Sequence, residues 1–342
     1  RHLDRRQHHR RSRHLAAVRL VPLERVETLL GGIMRVGSLC TGIAGLELGL
    51  ELAGVNVEPV FVSDIDDGVN SWLEVNRPDT PNLGDFTALD SLPSVDLLTA
   101  GFPCQPLSAA GRRKGVDDER WLFDDICRLV SRMETRPVLF LENVPGILTA
   151  NSGDALGRVV HGLADIGYSI TWGTLPAAAI GAPHRRNRWW ALAYPQNADG
   201  ELGDELGVAA SRQTQSRRPR PDAGRRSRAL TTDADSEGLQ GRQVHAECGD
   251  QQAVGSRDLG ARFKQYAGAV ERWELILGRP APDPVIDGRL SQRFVEWMMG
   301  FPEGWVTDTL TRRNQALHAL GNAVVPQCAA EAFTQLVDRT GS

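Results

Sequence analysis

From Arg35 to about residue 194, short apolar runs alternate with amphipathic stretches, a rhythm that predicts strands separated by helices. "RVGSL" (35–39) reads as a first strand, and "GLELGLELAG" (45–54) as a helix closed by Gly54, because glycine readily takes the left-handed conformation of a helix end. "VEPVFVS" (57–63) and "SVDLLTA" (94–100) read as further strands, "WLFDDICRLVSRM" (121–133) has helical period, and "PVLFLEN" (137–143) reads as a buried strand. "DALGRVVHGLADIG" (154–167) adds a helix and "RWWALA" (188–193) another strand. The succession predicts an α/β fold built on a doubly wound, mostly parallel sheet.

The rhythm fades between about 195 and 262, where Gly, Asp, Gln, Ser and Arg dominate and little apolar side chain is left to build a core. Within it "RQTQSRRPRPDAGRRSR" (212–228) holds seven Arg against one Asp and reads as a surface loop. Packed elements resume with "AGAVERWELILG" (267–278), "SQRFVEWMMGFPEGW" (291–305) and a last helix after "GNAVVPQ" (321–327). Four regions follow: a basic tail (1–33), an α/β domain (34–194), a variable and partly disordered region (195–289), and a C-terminal segment (290–342) that returns to the first domain. In the tail, "GGIM" just before the first strand suggests Met34 as a natural start; the competing reading is a basic arm that binds nucleic acid.

A chain of 342 residues with 41% hydrophobic content can bury a substantial core. Its five cysteines form no CxxC pair, which argues against a disulfide framework or a zinc cluster and for a reducing, cytoplasmic setting, and no apolar run is long enough to span a bilayer. The net charge of −4 combines +5 in residues 1–33 with −9 in the rest, so a nucleic-acid partner has to meet local basic patches. All but two of the 39 basic residues are arginine, a bias read as genome background.

"SLCTGIAGLELGL" (38–50) joins a strand to a helix through a glycine-bearing turn, where backbone can approach a ligand at the helix start. The spacing is GxxG (Gly42, Gly45), not the GxGxxG that cradles a pyrophosphate. A ligand without phosphate is therefore implied. Asp64, at the end of the second strand, could accept from ribose hydroxyls, and Asp85 from an exocyclic adenine amine; S-adenosylmethionine matches these features. Asp64 alone could equally be a solvated acid at a strand end.

"GFPCQPLS" (101–108) follows a strand whose carboxyl end should face the cleft, and Pro103 and Pro106 restrict the loop around Cys104. A thiol held in this way is a candidate nucleophile, with a structural cysteine as the alternative. Together, "GFPCQPLS", "LENVPGI", "APHRRNRWW" and "GNAVVPQ" resemble, in this order, the DNA cytosine-5 methyltransferases of phage and bacterial type. The resemblance covers Arg35–Ala193 and about Leu290–Leu336.

It implies that Cys104 attacks cytosine C6 so that C5 can take a methyl group, that Glu142 holds a proton against N3, and that Arg186 and Arg188 supply fixed donors, Arg188 to the cytosine O2. Asn143 would position the loop, Gln105 and Ser108 would fill the gap left by a base drawn out of the duplex, and Arg112, Arg113 and Lys114 would meet phosphates unless they are merely a solvated turn. The implied S-adenosylmethionine pocket comprises Leu39, Thr41, Gly42, Gly45, Leu46, Asp64, Ile65, Asp85, Phe86, Pro103, Leu122, Asn322 and Ala323, with no metal. The implied partner is double-stranded DNA, read as a sequence by residues 195–289, the chain itself acting as a monomer away from membranes; a cognate restriction endonuclease and a phage enzyme without one are both open. Cys40, Ala44 and His184 depart from the family, which usually has an aromatic, a glycine and a glutamine there. Rival readings are the same chemistry on transfer RNA, disfavoured because a Cys-Phe-Thr stretch is missing; a non-catalytic DNA-binding decoy, disfavoured by intact Cys104, Glu142 and Arg188; and a nicotinamide oxidoreductase, disfavoured by the missing GxGxxG.

Overall fold

Six strands form the central sheet: β1 (Ile33–Leu39), β2 (Asn56–Phe61), β3 (Leu97–Ala100), β4 (Val138–Asn143), β5 (Tyr168–Pro176) and β6 (Asn187–Pro195). The structure is a computed structural model that describes residues 32–103, 121–196 and 259–340. The strand order is β2-β1-β3-β4-β6-β5, parallel from β2 to β4, with β6 antiparallel to both of its neighbours. Side chains alternate between two hydrophobic layers, as the two-residue period of a strand requires. In β6, Trp189, Ala191 and Ala193 enter one layer while Trp190 and Leu192 enter the other; in β4, Leu139 and Leu141 oppose Phe140. Burial on both faces is why these strands read as unbroken apolar runs.

Helices α1 (Gly45–Leu52) and α2 (Asp67–Asn76) contribute to one layer, and α3 (Phe123–Arg132) and α4 (Asp154–Asp165) to the other. The chain after residue 259 forms α5 (Leu259–Phe263), α6 (Ala267–Leu277), a two-stranded hairpin of β7 (Val285–Ile286) and β8 (Arg289–Leu290), then α7 (Gln292–Met298), α8 (Arg313–Asn322) and α9 (Pro326–Thr340). These helices join the layer that holds α1. A Cβ placed on Gly49 would lie 2.4 Å from Ala329 Cβ, so α9 rests directly on the backbone of α1. Phe333 of α9 meets Phe140 of β4 edge-on at 5.3 Å, and Phe140 stacks on Trp190 at 5.7 Å. Trp273 of α6, within the region that the sequence reading sets apart as variable, is also fully buried in this layer.

Strand order reverses between β1 and β3, so the carboxyl ends of these two strands border the crevice in which such sheets place ligands. The turn after β1 and the segment leading from β3 to Cys104 both open there. Two elements carry weak sequence signals. Strand β5 pairs through one edge and is mostly half-buried, so "YSITWGTLP" lacks a clean alternation. Helix α2 buries few apolar side chains and starts at Asp66, whose carboxylate accepts from Gly68 N and Val69 N. The antiparallel setting of β6 was not legible in its own apolar run. The N-terminal tail, the arginine-rich stretch 212–228, Cys104, Gln105, Ser108, Arg112, Arg113 and Lys114 lie outside the described residues. No helix among the described residues is long and apolar enough to cross a membrane.

Candidate active site

The turn between β1 and α1 takes a left-handed backbone at Cys40 (φ 51°), Gly42 (φ 56°) and Ala44 (φ 57°). For Cys40 and Ala44 this conformation is unfavourable by about 1 kcal/mol each, and it persists only where neighbours fix it. Thr41 supplies one set of ties: its buried hydroxyl meets the carbonyls of Ser38 (3.2 Å) and Ser63 (3.4 Å), and Ser63 N donates to Thr41 Oγ1 (3.1 Å). Asp64 supplies another, accepting from Gly42 N at 2.8 Å and from Asp66 N at 3.0 Å. Asn82 in turn accepts from Asp64 N (3.1 Å) and donates to Asp64 O (3.2 Å).

Around this turn a Cβ added to Gly42 would meet nothing within 4 Å, which leaves open space in front of the backbone. Ile65, 71% exposed, offers a bare apolar side chain next to Asp64. Asp85 accepts from Thr87 N (2.9 Å) and Thr87 Oγ1 (2.7 Å) through one oxygen, which leaves the other for an outside donor. The turn carries no Lys or Arg. Carboxylate acceptors, one apolar surface and no cation suit a nucleoside without a pyrophosphate, so the residues present fit S-adenosylmethionine. Leu39, Leu46 and Phe86 are buried in the core beneath the turn and shape it from behind. Gly45 touches the C-terminal segment: an added Cβ would lie 2.9 Å from Val324 Cγ2 and 3.3 Å from Phe301.

At the neighbouring end of the sheet, the antiparallel register sets Glu142 of β4 opposite Trp190 and Asn143 opposite Trp189, which brings Arg188 beside the Glu142 carboxylate. Arg188 Nε lies 2.8 Å from Glu142 Oε1, with side-chain exposures of only 20% and 10%. Burial pushes the Glu142 carboxyl above the usual carboxylate range, and the attraction of Arg188 and Arg186 opposes the shift without cancelling it. Gly101, three residues before Cys104, faces this carboxyl: its added Cβ would stand 3.7 Å from Glu142 Oε2. Asn143 Nδ2 donates to Phe102 O (3.2 Å) while its Oδ1 accepts from Val144 N (2.8 Å), so the amide straps the approach to Cys104 onto β4.

Arg186 points elsewhere. Its guanidinium donates to Gly321 O (2.8 Å) and to Ala323 O, which clasps the C-terminal turn, and burial lowers its pKa to about 10. Nε of Arg186 is buried and has no hydrogen-bond partner among the described residues. Asn322 is exposed and pairs with His318 (3.0 Å), Leu122 precedes the first turn of α3, and Pro103 is exposed at the last described position before Cys104. His184 anchors the loop between β5 and β6 through Met298 O (3.0 Å). Sequence reasoning missed Asn82, whose amide organises Asp64, and Trp305, whose indole reaches the turn carbonyl of Ile43 (2.9 Å). The "FPEGW" run was the one visible signal for the latter.

The sequence model of the C-5 cytosine-specific DNA methylase family matches residues 34–232. Type II methyltransferase M2.BsuMI of Bacillus subtilis (strain 168) is 37% identical over 164 residues, covering 47% of this chain and 42% of that protein. Type II methyltransferase M.MspI of Moraxella sp is 36% identical over 160 residues, covering 46% and 37%. The chain thus spans about two-fifths of the length of these curated relatives. Among solved structures, S. pombe Dnmt2 methyltransferase superposes with a TM-score of 0.53 at 20% identity, covering 90% of this chain and all of that one. The Entamoeba histolytica methyltransferase EhMeth gives 0.54 at 15%, covering 90% and 99%. The two structures establish a shared class I methyltransferase architecture. With a family match running through all six strands of the sheet and over 199 of 342 residues, the chain belongs to the C-5 cytosine-specific DNA methylase family.

Proposed function

We propose that this chain is a DNA cytosine-5 methyltransferase that uses S-adenosylmethionine to methylate a cytosine drawn out of double-stranded DNA. The observation that carries the reading is the buried Glu142–Arg188 pair, set against the backbone of Gly101 on the approach to Cys104. A carboxyl held toward its neutral form by burial can donate to the cytosine N3, while Arg188, fixed beside it, can donate to O2. Both contacts draw electron density from the ring and favour addition at C6.

In this reading the thiolate of Cys104 forms a bond to C6, and the electron pair of the C5–C6 double bond shifts to make C5 nucleophilic. S-adenosylmethionine, when bound, would supply the electrophilic methyl carbon, the S–CH3 bond breaking with its electron pair left on sulfur in S-adenosylhomocysteine. Loss of the C5 proton to water then expels the thiolate and restores the aromatic ring. Cys40, Cys127 and Cys328 are unsuited to this role, because burial pushes each thiol up to about 12. Gly42, Asp64, Ile65 and Asp85 would hold the methyl donor, Gln105 and Ser108 would occupy the emptied stack, and Arg112, Arg113 and Lys114 would bind phosphates. Residues 195–289 would read the target sequence. Because the curated relatives are named Type II methyltransferases, we read the chain as the modification partner of a restriction endonuclease.

The test supplies labelled methyl donor with mixed-sequence duplex DNA or with transfer RNA, to wild type and to Cys104→Ser, and maps modified bases by sequencing. Label on DNA cytosine C5, absent with Cys104→Ser, is the expected outcome. Label on RNA alone would reassign the substrate, and no transfer by wild type would sink the reading.

A further inference from the structure

Resting on the reading above, we infer that Trp305 is a positioning residue for the methyl-donor turn, and that Glu296 shapes the loop which delivers it. The strained turn from Cys40 to Ala44 is tied on one flank by Thr41, Ser63 and Asp64, all from the N-terminal half. On the other flank the indole Nε1 of Trp305 donates to Ile43 O at 2.9 Å, across 262 positions of sequence. Ile43 lies between the two left-handed residues Gly42 and Ala44, so the orientation of its peptide sets which way the turn's amides face.

The indole is itself held. Trp72 packs against it at 5.5 Å and donates to Trp305 O at 2.5 Å, Phe301 stacks at 6.3 Å, and the Arg77 guanidinium lies 5.7 Å above the ring. Beneath it, the buried Glu296 carboxylate accepts from Gly304 N (2.9 Å), Val306 N (2.6 Å), Thr307 N (2.9 Å) and Thr307 Oγ1 (3.1 Å). Four donors converging on one carboxylate fix the loop 302–307 in a single conformation. Phe301 and Val324 close on Gly45 from the same side, so the segment after residue 290 presses on the turn through three side chains. A strained segment keeps its shape only when its surroundings over-determine it, and here part of that determination comes from the far end of the chain.

The matched control is Trp273, whose indole donates to Trp297 O (3.0 Å) within the same C-terminal packing but away from the turn. Calorimetric titration with S-adenosylhomocysteine and thermal melting compare wild type, Trp305→Phe and Trp273→Phe. Trp305→Phe keeps an aromatic ring but loses the N–H, and its dissociation constant should rise by about three- to tenfold, the size of one hydrogen bond. Trp273→Phe should lower the melting temperature while binding with wild-type affinity. Wild-type affinity in Trp305→Phe, or equal weakening in both variants, overturns the positioning role alone. A wild type that binds no S-adenosylhomocysteine overturns the methyl-donor reading, and the role of Trp305 with it.

Discussion

Glu142 and Arg188 form a buried pair that ties β4 to β6. Removing charge from water is costly, and burial accordingly raises the Glu142 carboxyl above its ordinary range, outweighing the pull of two arginines. A Glu142 that serves as donor to N3 is active when protonated, and burial extends that form to higher pH than an exposed glutamate would allow. The rate should therefore fall as pH rises through the raised value. Glu142→Gln should cut kcat by about 100- to 1000-fold, the usual range for losing a positioned acid or a donor to developing charge, and should also lose this alkaline limb. Rate–pH profiles of both proteins at saturating DNA check this; an unchanged limb in the variant would remove Glu142 from the chemistry.

Helices α1 and α9 approach more closely than ordinary side chains allow, and Gly49 is the reason. Its missing side chain lets Ala329 and the Pro326 carbonyl, 2.9 Å from where a Cβ would stand, sit on the α1 backbone. In an isolated helix, Gly→Ala would stabilise by about 1 kcal/mol. In this packing the added methyl has no room, and overpacking costs about 1–3 kcal/mol, so the sign reverses. Gly49→Ala should lower the thermal midpoint, measured by differential scanning calorimetry, and a raised midpoint would show that α9 can shift away. Because α1 starts at the turn after β1, any such shift would also be felt at Gly45.

His184 connects the loop that carries Arg186 and leads into Arg188 of β6 to the end of α7, through the carbonyl of Met298. Burial holds its pKa below the ordinary 6.5, the two arginines push it further down, and the Met298 bond only partly opposes them. The unfolded chain therefore binds a proton that the folded one refuses, and stability falls as pH drops from about 6.5 toward the lowered folded value. His184→Gln, which restores the residue usual in the family, keeps an N–H donor but does not titrate. Urea midpoints at pH 5 and 7.5 should differ less for this variant than for wild type. An equal difference in both would place the acid sensitivity elsewhere.

The order of most strands and helices was written locally: apolar runs for strands buried on both faces, a 3.6-residue period for α3 and α4, and Gly54 closing α1. Strand β5 and helix α2 escaped because each buries too little to leave a clear period. What no window of sequence contains is register and return. Glu142 meets Arg188 because β6 runs antiparallel to β4, Arg186 turns away to clasp Gly321 and Ala323, and Trp305 reaches Ile43 from the opposite end of the chain. Periodicity reports which face of an element is buried, whereas a contact between distant segments depends on how whole layers pack, and the free energy that selects it is shared among many side chains rather than inscribed at either partner.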